Sequence, residues 1–344
     1  MSETIYHHLP VMVHEVVDLF GPVPPGTVVD ATVGGGGHAR ALLESWDHLS
    51  VVGLDRDPDA VAAAVQRLAD FPGRARCRHA RFDRLATTMS ELGVRSASGV
   101  LFDLGVSSPQ LDRGERGFSH RRQGPLDMRM DPTSPTDRTA GALVNDEPEG
   151  ALADVLRRLG DERYATRIAR AIVAARPIDT TSQLADIVRD AIPAPARRHG
   201  RHPATRTFQA LRIAVNGELE LLPDALDQAL ELLVPGGRCA VLAYHSGEDR
   251  IVKSHFRRAA TGGCTCPPRL PCACGAVPLV RLLRAGARKP SPAEVETNPR
   301  AASARLRAVE KLAAPVDPRS DPRPDPGPGP GPDADPESQG WCPR

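Results

Sequence analysis

The chain has 344 residues, 40% of them hydrophobic and 25% charged, with a formal net charge of +1 at pH 7. These values are those of a globular protein, either one large domain or a domain with an insertion, and they speak against a disordered or fibrous chain. From Pro315 to Arg344 six acids face three arginines, so the remainder sets 41 basic against 37 acidic residues, about +4, a weak pull toward a polyanionic partner.

The opening MSETIYHHLPVMVHEV lacks a charged stretch followed by a long apolar run, and no segment is apolar for the ~20 residues of a membrane helix. The expectation is a cytoplasmic protein. Seven cysteines, an odd number without a secretion signal, argue for reduced thiols over a disulfide framework.

In chain order, apolar β-rich runs alternate with helical patterns: VVDAT at Val28 to Thr32, VVGLD at Val51 to Asp55, and GVLFDLG at Gly99 to Gly105. Such alternation predicts parallel strands joined by helical crossovers. Ala60 to Leu68 reads as a helix begun by Asp57-Pro58, and a weaker strand is expected at Ala75 to Ala80. After Gly105 the alternation stops. Polar, turn-rich sequence leads into helical patterns at Glu149 to Leu159, Asp161 to Ala175 and Thr181 to Ala191, with no strand between them. Leu211 to Leu233 is again helical, and VPGGRCAVLAYHS reads as a helix end, a turn and a buried strand. The organisation expected is therefore a sheet domain in two parts, 1–112 and 204–314, interrupted by an all-helical subdomain at 113–203. The Asp-Pro and Gly-Pro repeats of 315–344 cannot bury enough apolar surface to offset their ordering entropy and are expected to be disordered.

The segment VVDATVGGGGHARALL places glycines between a strand and a helix, where a backbone without Cβ atoms lets a nucleotide cofactor approach. A dinucleotide and S-adenosylmethionine both suit such a turn. Asp30, four residues before Gly34, would repel a pyrophosphate but attract the ammonium group of S-adenosylmethionine. The spacing of Asp30, Gly34 and Gly36 resembles the first motif of class I methyltransferases. Asp55, ending the next strand, can accept hydrogen bonds from both ribose hydroxyls; the competing expectation is that it caps the helix near Pro58.

Four further blocks sharpen the resemblance: SSPQLDRGERGFSHRRQGPLDMRMD from Ser107, HPATRTFQALRIAVNGEL from His202, YHSGEDRIVK from Tyr244 and NPRAASARLRAVEK from Asn298. With HHLPVMVHEV and DATVGGGGH they resemble, in order across residues 5 to 311, the bacterial 16S ribosomal RNA cytosine N4-methyltransferase family. The resemblance implies an α/β class I, Rossmann-like fold with an inserted helical domain. It also implies S-adenosylmethionine as cofactor and methylation of a decoding-centre cytidine, position 1402, in the small ribosomal subunit. Carried over residue by residue, the cofactor contacts are Gly36, Gly37, His38, Asp55, Phe82, Asp103 and Gln110. Tyr244 and Gly247 stand where the family commonly has Phe and Leu.

A cytosine amine is a poor nucleophile because its lone pair is delocalised into the ring, so an acceptor must draw its hydrogen while donor and acceptor are held in line. Asp103, ending the third apolar run, can serve the cofactor, the amine or both; cofactor binding is the favoured role, with Ser107, Ser108 and Pro109 shaping the base pocket. His245 is an alternative acceptor or proton carrier, although a lone histidine is more often structural. RNA contacts are expected from Arg163, Arg167 and Arg170, at helical spacing beside an apolar face of Tyr164, Ile168, Ala171 and Ile172, and from Arg197, Arg198 and Arg201 on a following loop. Other amine substrates, a NAD-linked oxidoreductase and a non-enzymatic RNA-binding assembly factor remain alternatives.

Cys264, Cys266, Cys272 and Cys274 form CTCPPRLPCAC. The Cys-x-Cys spacing is tighter than the usual gap of about two to four residues in zinc sites. The expectation is a reduced surface loop, and no metal is assigned.

Overall fold

The computed structural model describes residues 10–134, 138–197, 202–267 and 273–313. Described residues up to Leu312 form one compact unit; of a second, Ala313–Arg344, only Ala313 is described. The tail expected to be disordered, together with Arg198, Arg201 and Cys272, lies outside the described residues.

Seven strands form one sheet: β1 (Gly26–Asp30), β2 (Leu49–Asp55), β3 (Ala75–His79), β4 (Ala97–Asp103), β5 (Leu233–Ala243), β6 (Val280–Leu282) and β7 (Arg305–Lys311). Their order is β3-β2-β1-β4-β5-β7-β6. The first five run parallel, and β7 is antiparallel to both β5 and β6. This is the class I methyltransferase arrangement, with the strand order reversing between β1 and β4. At such a switch point neighbouring crossovers leave the sheet on opposite faces and open a crevice at the carboxyl ends of the strands.

The central strands β1, β2, β4 and β5 hold because they are apolar on both faces, as a sheet covered by helices requires. Alternate residues divide cleanly: Val29, Val52, Val100, Phe102 and Val241 enter one core, while Val28, Val51, Leu101, Ala240 and Leu242 enter the other. The first face is covered by α4 (Leu85–Glu91), α12 (Glu218–Leu232) and α13 (Ser246–Thr261); the second by α1 (Val13–Phe20) and α2 (Gly37–Ser45). Phe20 is fully buried against Gly99, where a Cβ would sit 2.4 Å from its ring. Removing that ring should cost about 3–5 kcal/mol.

The helix α3 (Pro58–Arg67) begins as its sequence suggests. Asp57 is the N-cap, its Oδ1 accepting from Asp59 N at 3.1 Å, with Pro58 in the first turn.

Between β4 and β5 the chain forms α5 (Ser108–Asp112), α6 (Ala140–Asp146), α7 (Glu149–Gly160), α8 (Ala165–Ala174), α9 (Thr181–Ala191), α10 (Ala194–Arg197) and α11 (Thr205–Asn216) before α12. A separate apolar cluster runs from Phe118 to Leu211 through α6, α7, α8, α9 and α11. Helix α11, which follows residue 203, thus shares its core with the helices before that boundary. The stretch Leu211 to Leu233 is not one helix, because Gly217 takes left-handed backbone (φ 64°) and divides α11 from α12. Strand β5 begins at Leu233, earlier than the turn expected at the Pro-Gly-Gly, and a register shift against β4 absorbs those residues. Asn216 joins the helices to the sheet: its carbonyl accepts from Arg56 Nη1 at 2.9 Å, while its side chain bonds Met128 O and Met130 N, each at 2.8 Å.

Candidate active site

A cavity of about 280 Å³ opens at the switch point, lined by the β1–α2 loop, the ends of β2 and β4, Phe82, the loop after β4 and Tyr244. The polar groups converge because β1, β2, β4 and β5 are neighbours, so Asp30, Asp55, Asp103 and Tyr244 arrive at the same end of the sheet.

In the glycine loop, Gly34 and Gly36 have positive φ (50° and 78°), and Gly36 opens α2 with no side-chain cap. The free N–H groups of that first turn favour an anion or a carboxylate. A Cβ at Gly37 would approach the Pro10 ring to 3.3 Å, so this part of the cradle is narrow.

Asp55 is held by two backbone donors, Gly34 N to Oδ2 at 2.9 Å and Asp57 N to Oδ1 at 2.8 Å. Each oxygen keeps another lone pair for a hydroxyl. Burial pushes the Asp55 carboxyl up to about 6, against those two backbone donors. The helix cap is Asp57, not Asp55, and Asp57 also receives Gln110 Nε2 at 2.8 Å and Arg116 Nη1 at 2.9 Å. Gln110 Oε1 accepts from Ser107 N at 3.0 Å, so its amide ties the loop after β4 to the loop after β2. Phe82 is half-buried, lines the cavity and packs edge-on against Phe102, leaving a face suited to a planar ring.

Asp103 accepts the Tyr244 hydroxyl on Oδ1 at 2.6 Å, and its own N–H donates to Thr32 Oγ1 at 2.6 Å. Burial, then the Asp103 charge, pushes the Tyr244 phenol well above its ordinary value, so it stays a donor. His38 Nε2 donates to Val11 O at 2.9 Å, leaving Nδ1 3.6 Å from Asp103 Oδ2. His38 therefore lines the cavity and also straps the segment at Pro10 and Val11 across it.

Several expected residues stand elsewhere. Asp30 is only 1% exposed, does not line the cavity and accepts from Thr32 N. Burial, then Asp103, pushes its carboxyl up to about 8, so near neutrality it is largely protonated rather than the anion expected from spacing. Gly36 shapes the turn without lining the cavity. Of Ser107, Ser108 and Pro109 only Ser107 lines it; Ser108 is buried in the first turn of α5 beside Pro109. The Ser107 hydroxyl oxygen is itself buried at the start of α5.

His245 is the N-cap of α13, its Nδ1 accepting from Gly247 N and Glu248 N at 3.2 and 3.4 Å. With that nitrogen committed to the helix and the residue outside the lining of the first cavity, the proton-carrier role has no geometric support. Its Nε2 lies 3.1 Å from Glu248 Oε1, out of hydrogen-bond alignment. Burial raises the Glu248 carboxyl, but His245, Arg212 and the Tyr244 N–H outweigh it and hold the group below its ordinary range.

Sequence reasoning did not single out Arg212, Glu218 or Glu248, which line the cavity from the helical side and carry a two-pronged Arg212–Glu218 pair at 2.8 Å. Periodicity cannot separate such buried charges from a solvated helix face.

A second cavity of about 780 Å³ adjoins the first at Tyr244 and runs between the turn that joins α7 to α8, α11, the start of α13 and the segment before β7. It is lined by Arg163, Arg206, Lys289 and Arg305, with His202 and Tyr164. Arg163, Arg167 and Arg170 are exposed but do not share one helix face. Asp161 is left-handed (φ 48°) and α8 starts only at Ala165, so Arg163 lies in the preceding turn and it alone of the three lines this cavity. Arg170 sits 3.5 Å from Glu149. Arg197 is turned back on its own helix pair, donating to Ile192 O at 2.6 Å and Asp190 O at 2.9 Å, so it is not a loose phosphate contact.

The sequence profile of the MraW methylase family matches residues 5–312. A ribosomal RNA small subunit methyltransferase H of Heliobacterium modesticaldum is 50% identical over 314 residues, covering 90% of this chain and 99% of its own length. Proteins of the same description from Symbiobacterium thermophilum and Acidothermus cellulolyticus are 51% and 53% identical, covering 90% and 89% of this chain and 98% and 94% of theirs. No helix among the described residues is long and apolar enough to cross a membrane.

Proposed function

The chain belongs to the MraW methylase family, and from that premise we propose that it methylates the N4 amine of cytidine 1402 in 16S ribosomal RNA, within the small ribosomal subunit. It is an S-adenosylmethionine-dependent methyltransferase. The observation that carries the reading is the pairing of two cavities through Tyr244, one walled by strand-terminal acids and a glycine loop, the other by four cationic side chains.

The cofactor, when bound, supplies an electrophilic methyl group on a sulfonium. The residues present fit it. Asp55 offers fixed lone pairs to the ribose hydroxyls, Phe82 offers its face to adenine, and the uncapped turn at Gly36 and Gly37 accepts a carboxylate. Asp103, held by Tyr244 and near His38, is the anion available to an ammonium group or to the hydrogens of the target amine. Gln110 fixes the loop carrying Ser107, which lines the same space.

With the cofactor bound, the N4 amine would be the nucleophile toward the methyl group the cofactor supplies, and Asp103 would take the proton that the amine gives up. The protein's part is to exclude water and to align the two reactants, an effect worth up to about 7–11 kcal/mol in well-oriented reactions. The RNA strand lies along the second cavity, where Arg163, Arg206, Lys289 and Arg305 meet phosphates, and the target base is everted past Tyr244. Arg167 flanks this approach from the exposed side of α8.

The test is incubation of the purified protein with labelled cofactor and, separately, small subunits, free 16S RNA and DNA, followed by mapping of the modified nucleotide. Label at cytidine N4 in one ribosomal position supports the reading. Label only on DNA, protein or a small amine overturns it.

A further inference from the structure

Away from both cavities, the segment between α13 and β6 gathers side chains that methyl transfer does not use. Gly262 and Gly263 end α13 with left-handed backbone (φ 60° and 73°). A Cβ at Gly262 would lie 2.4 Å from the Val277 carbonyl oxygen, so the outgoing and returning legs of the segment touch there. Three backbone bonds clamp its base: Gly263 N to Arg258 O at 3.0 Å, Cys264 N to Thr261 O at 3.1 Å, and Leu279 N to Ala259 O at 2.9 Å. Cys274 is thereby returned to Cys264 and Cys266, and the sulfurs of all three lie within 4.8 Å of one another.

That separation is close to what a metal demands. Zinc–thiolate bonds of about 2.3 Å in a tetrahedron put the sulfurs about 3.8 Å apart, so side-chain rotation of about 1 Å closes the set. Three sulfurs with no carboxylate among them suit a soft ion rather than magnesium or calcium. The backbone N–H groups of Ala273 and Cys274, on the returning leg, both donate to the Cys266 sulfur, which ties the two legs together at the cluster. The segment also needs a tie: no described residue between 261 and 279 belongs to an apolar core cluster, and Val277 and Leu279 are about half exposed. The spacing that argued against a metal in the sequence is overcome by the fold, because the third ligand comes from the returning leg.

We propose that Cys264, Cys266 and Cys274 form a three-thiolate zinc site that staples this segment onto the end of α13, leaving one coordination position to a further donor.

The full chain, purified reduced and without chelator, should carry about one zinc by elemental analysis. Cobalt added to metal-stripped protein should give an intense sulfur-to-cobalt absorption. Cys266→Ser and the pair Cys264→Ser with Cys274→Ser should lose both signals. Calorimetric cofactor binding should be unchanged in these variants, since none of the three lines the cofactor cavity, and this serves as the measure of folding. Wild-type protein with well under one equivalent of zinc and no cobalt–thiolate band would overturn the site, as would iron in place of zinc, or zinc retained by the double variant.

Discussion

The Tyr244 hydroxyl donates to Asp103 Oδ1 at 2.6 Å, joining the end of β5 to the end of β4 at the place where the two cavities meet. A hydrogen bond to a charged acceptor contributes about 1.5–3 kcal/mol when removed without replacement. Tyr244→Phe keeps the ring and frees Asp103 on one side. Isothermal titration should show cofactor binding weakened by about tenfold, or about 1.4 kcal/mol, with thermal stability little changed. Affinity within twofold of wild type would mean that the Tyr244 hydroxyl is not needed to position the carboxylate.

Asp55 titrates near 6 in the folded protein, above the ordinary carboxylate range, because it is buried. A raised acid is protonated as pH falls through that value, and a protonated carboxyl loses acceptor capacity for the ribose hydroxyls. Cofactor affinity should therefore drop as pH is lowered through about 6, while Asp55→Asn should bind weakly with no step there. Calorimetric titrations across pH 5 to 8 check this, and parallel wild-type and variant profiles would count against it.

Asp30 titrates near 8, and the sign of its effect on stability is the reverse of a salt-bridged acid. Its folded pKa lies above the unfolded value, so it favours folding fully below about pH 4 and that contribution is lost as pH rises through about 8. The limiting slope for one proton is about 1.4 kcal/mol per pH unit. Asp30→Asn retains an acceptor for Thr32 N and removes the titration, so denaturant midpoints should favour the variant increasingly from pH 4 to 8. A constant difference over that range would show that Asp30 is charged throughout.

The second cavity carries its cations on separate elements, Arg163 before α8, Arg206 on α11, and Lys289 and Arg305 near the sheet edge. Reversing charge at Arg163 and Lys289 together should weaken RNA binding and lower the salt slope by about 0.7 for each single-strand phosphate no longer neutralised. Cofactor affinity should hold. Unchanged RNA affinity at both low and high salt would move the RNA surface elsewhere.

Local pattern was enough for the five parallel strands and for α2 and α3, but not for α1, β6 or β7. Val28–Val29, Val51–Val52 and Val100–Leu101 are apolar on successive residues because both faces of the sheet are covered, and Asp57-Pro58 starts α3 through its own side chain. The glycine loop and Asp55 were legible for the same reason: a turn and a strand end carry their geometry within a few residues. Asp30 has that spacing too, yet its protonation depends first on burial by the neighbouring strands and then on Asp103, 73 residues later, neither of which a local pattern contains. Arg163 parted from Arg167 because Asp161 turned left-handed and delayed the helix. His245 became a cap, and Arg212 with Glu218 became part of the cavity wall, only when α11, α12 and α13 packed against the sheet. Backbone periodicity and turn chemistry act over one element, so the sequence by itself determined the parallel strands and the glycine turn between β1 and α2. The charge state of a buried acid and the meeting of three cysteines depend on distances between elements, and those only the tertiary structure decided.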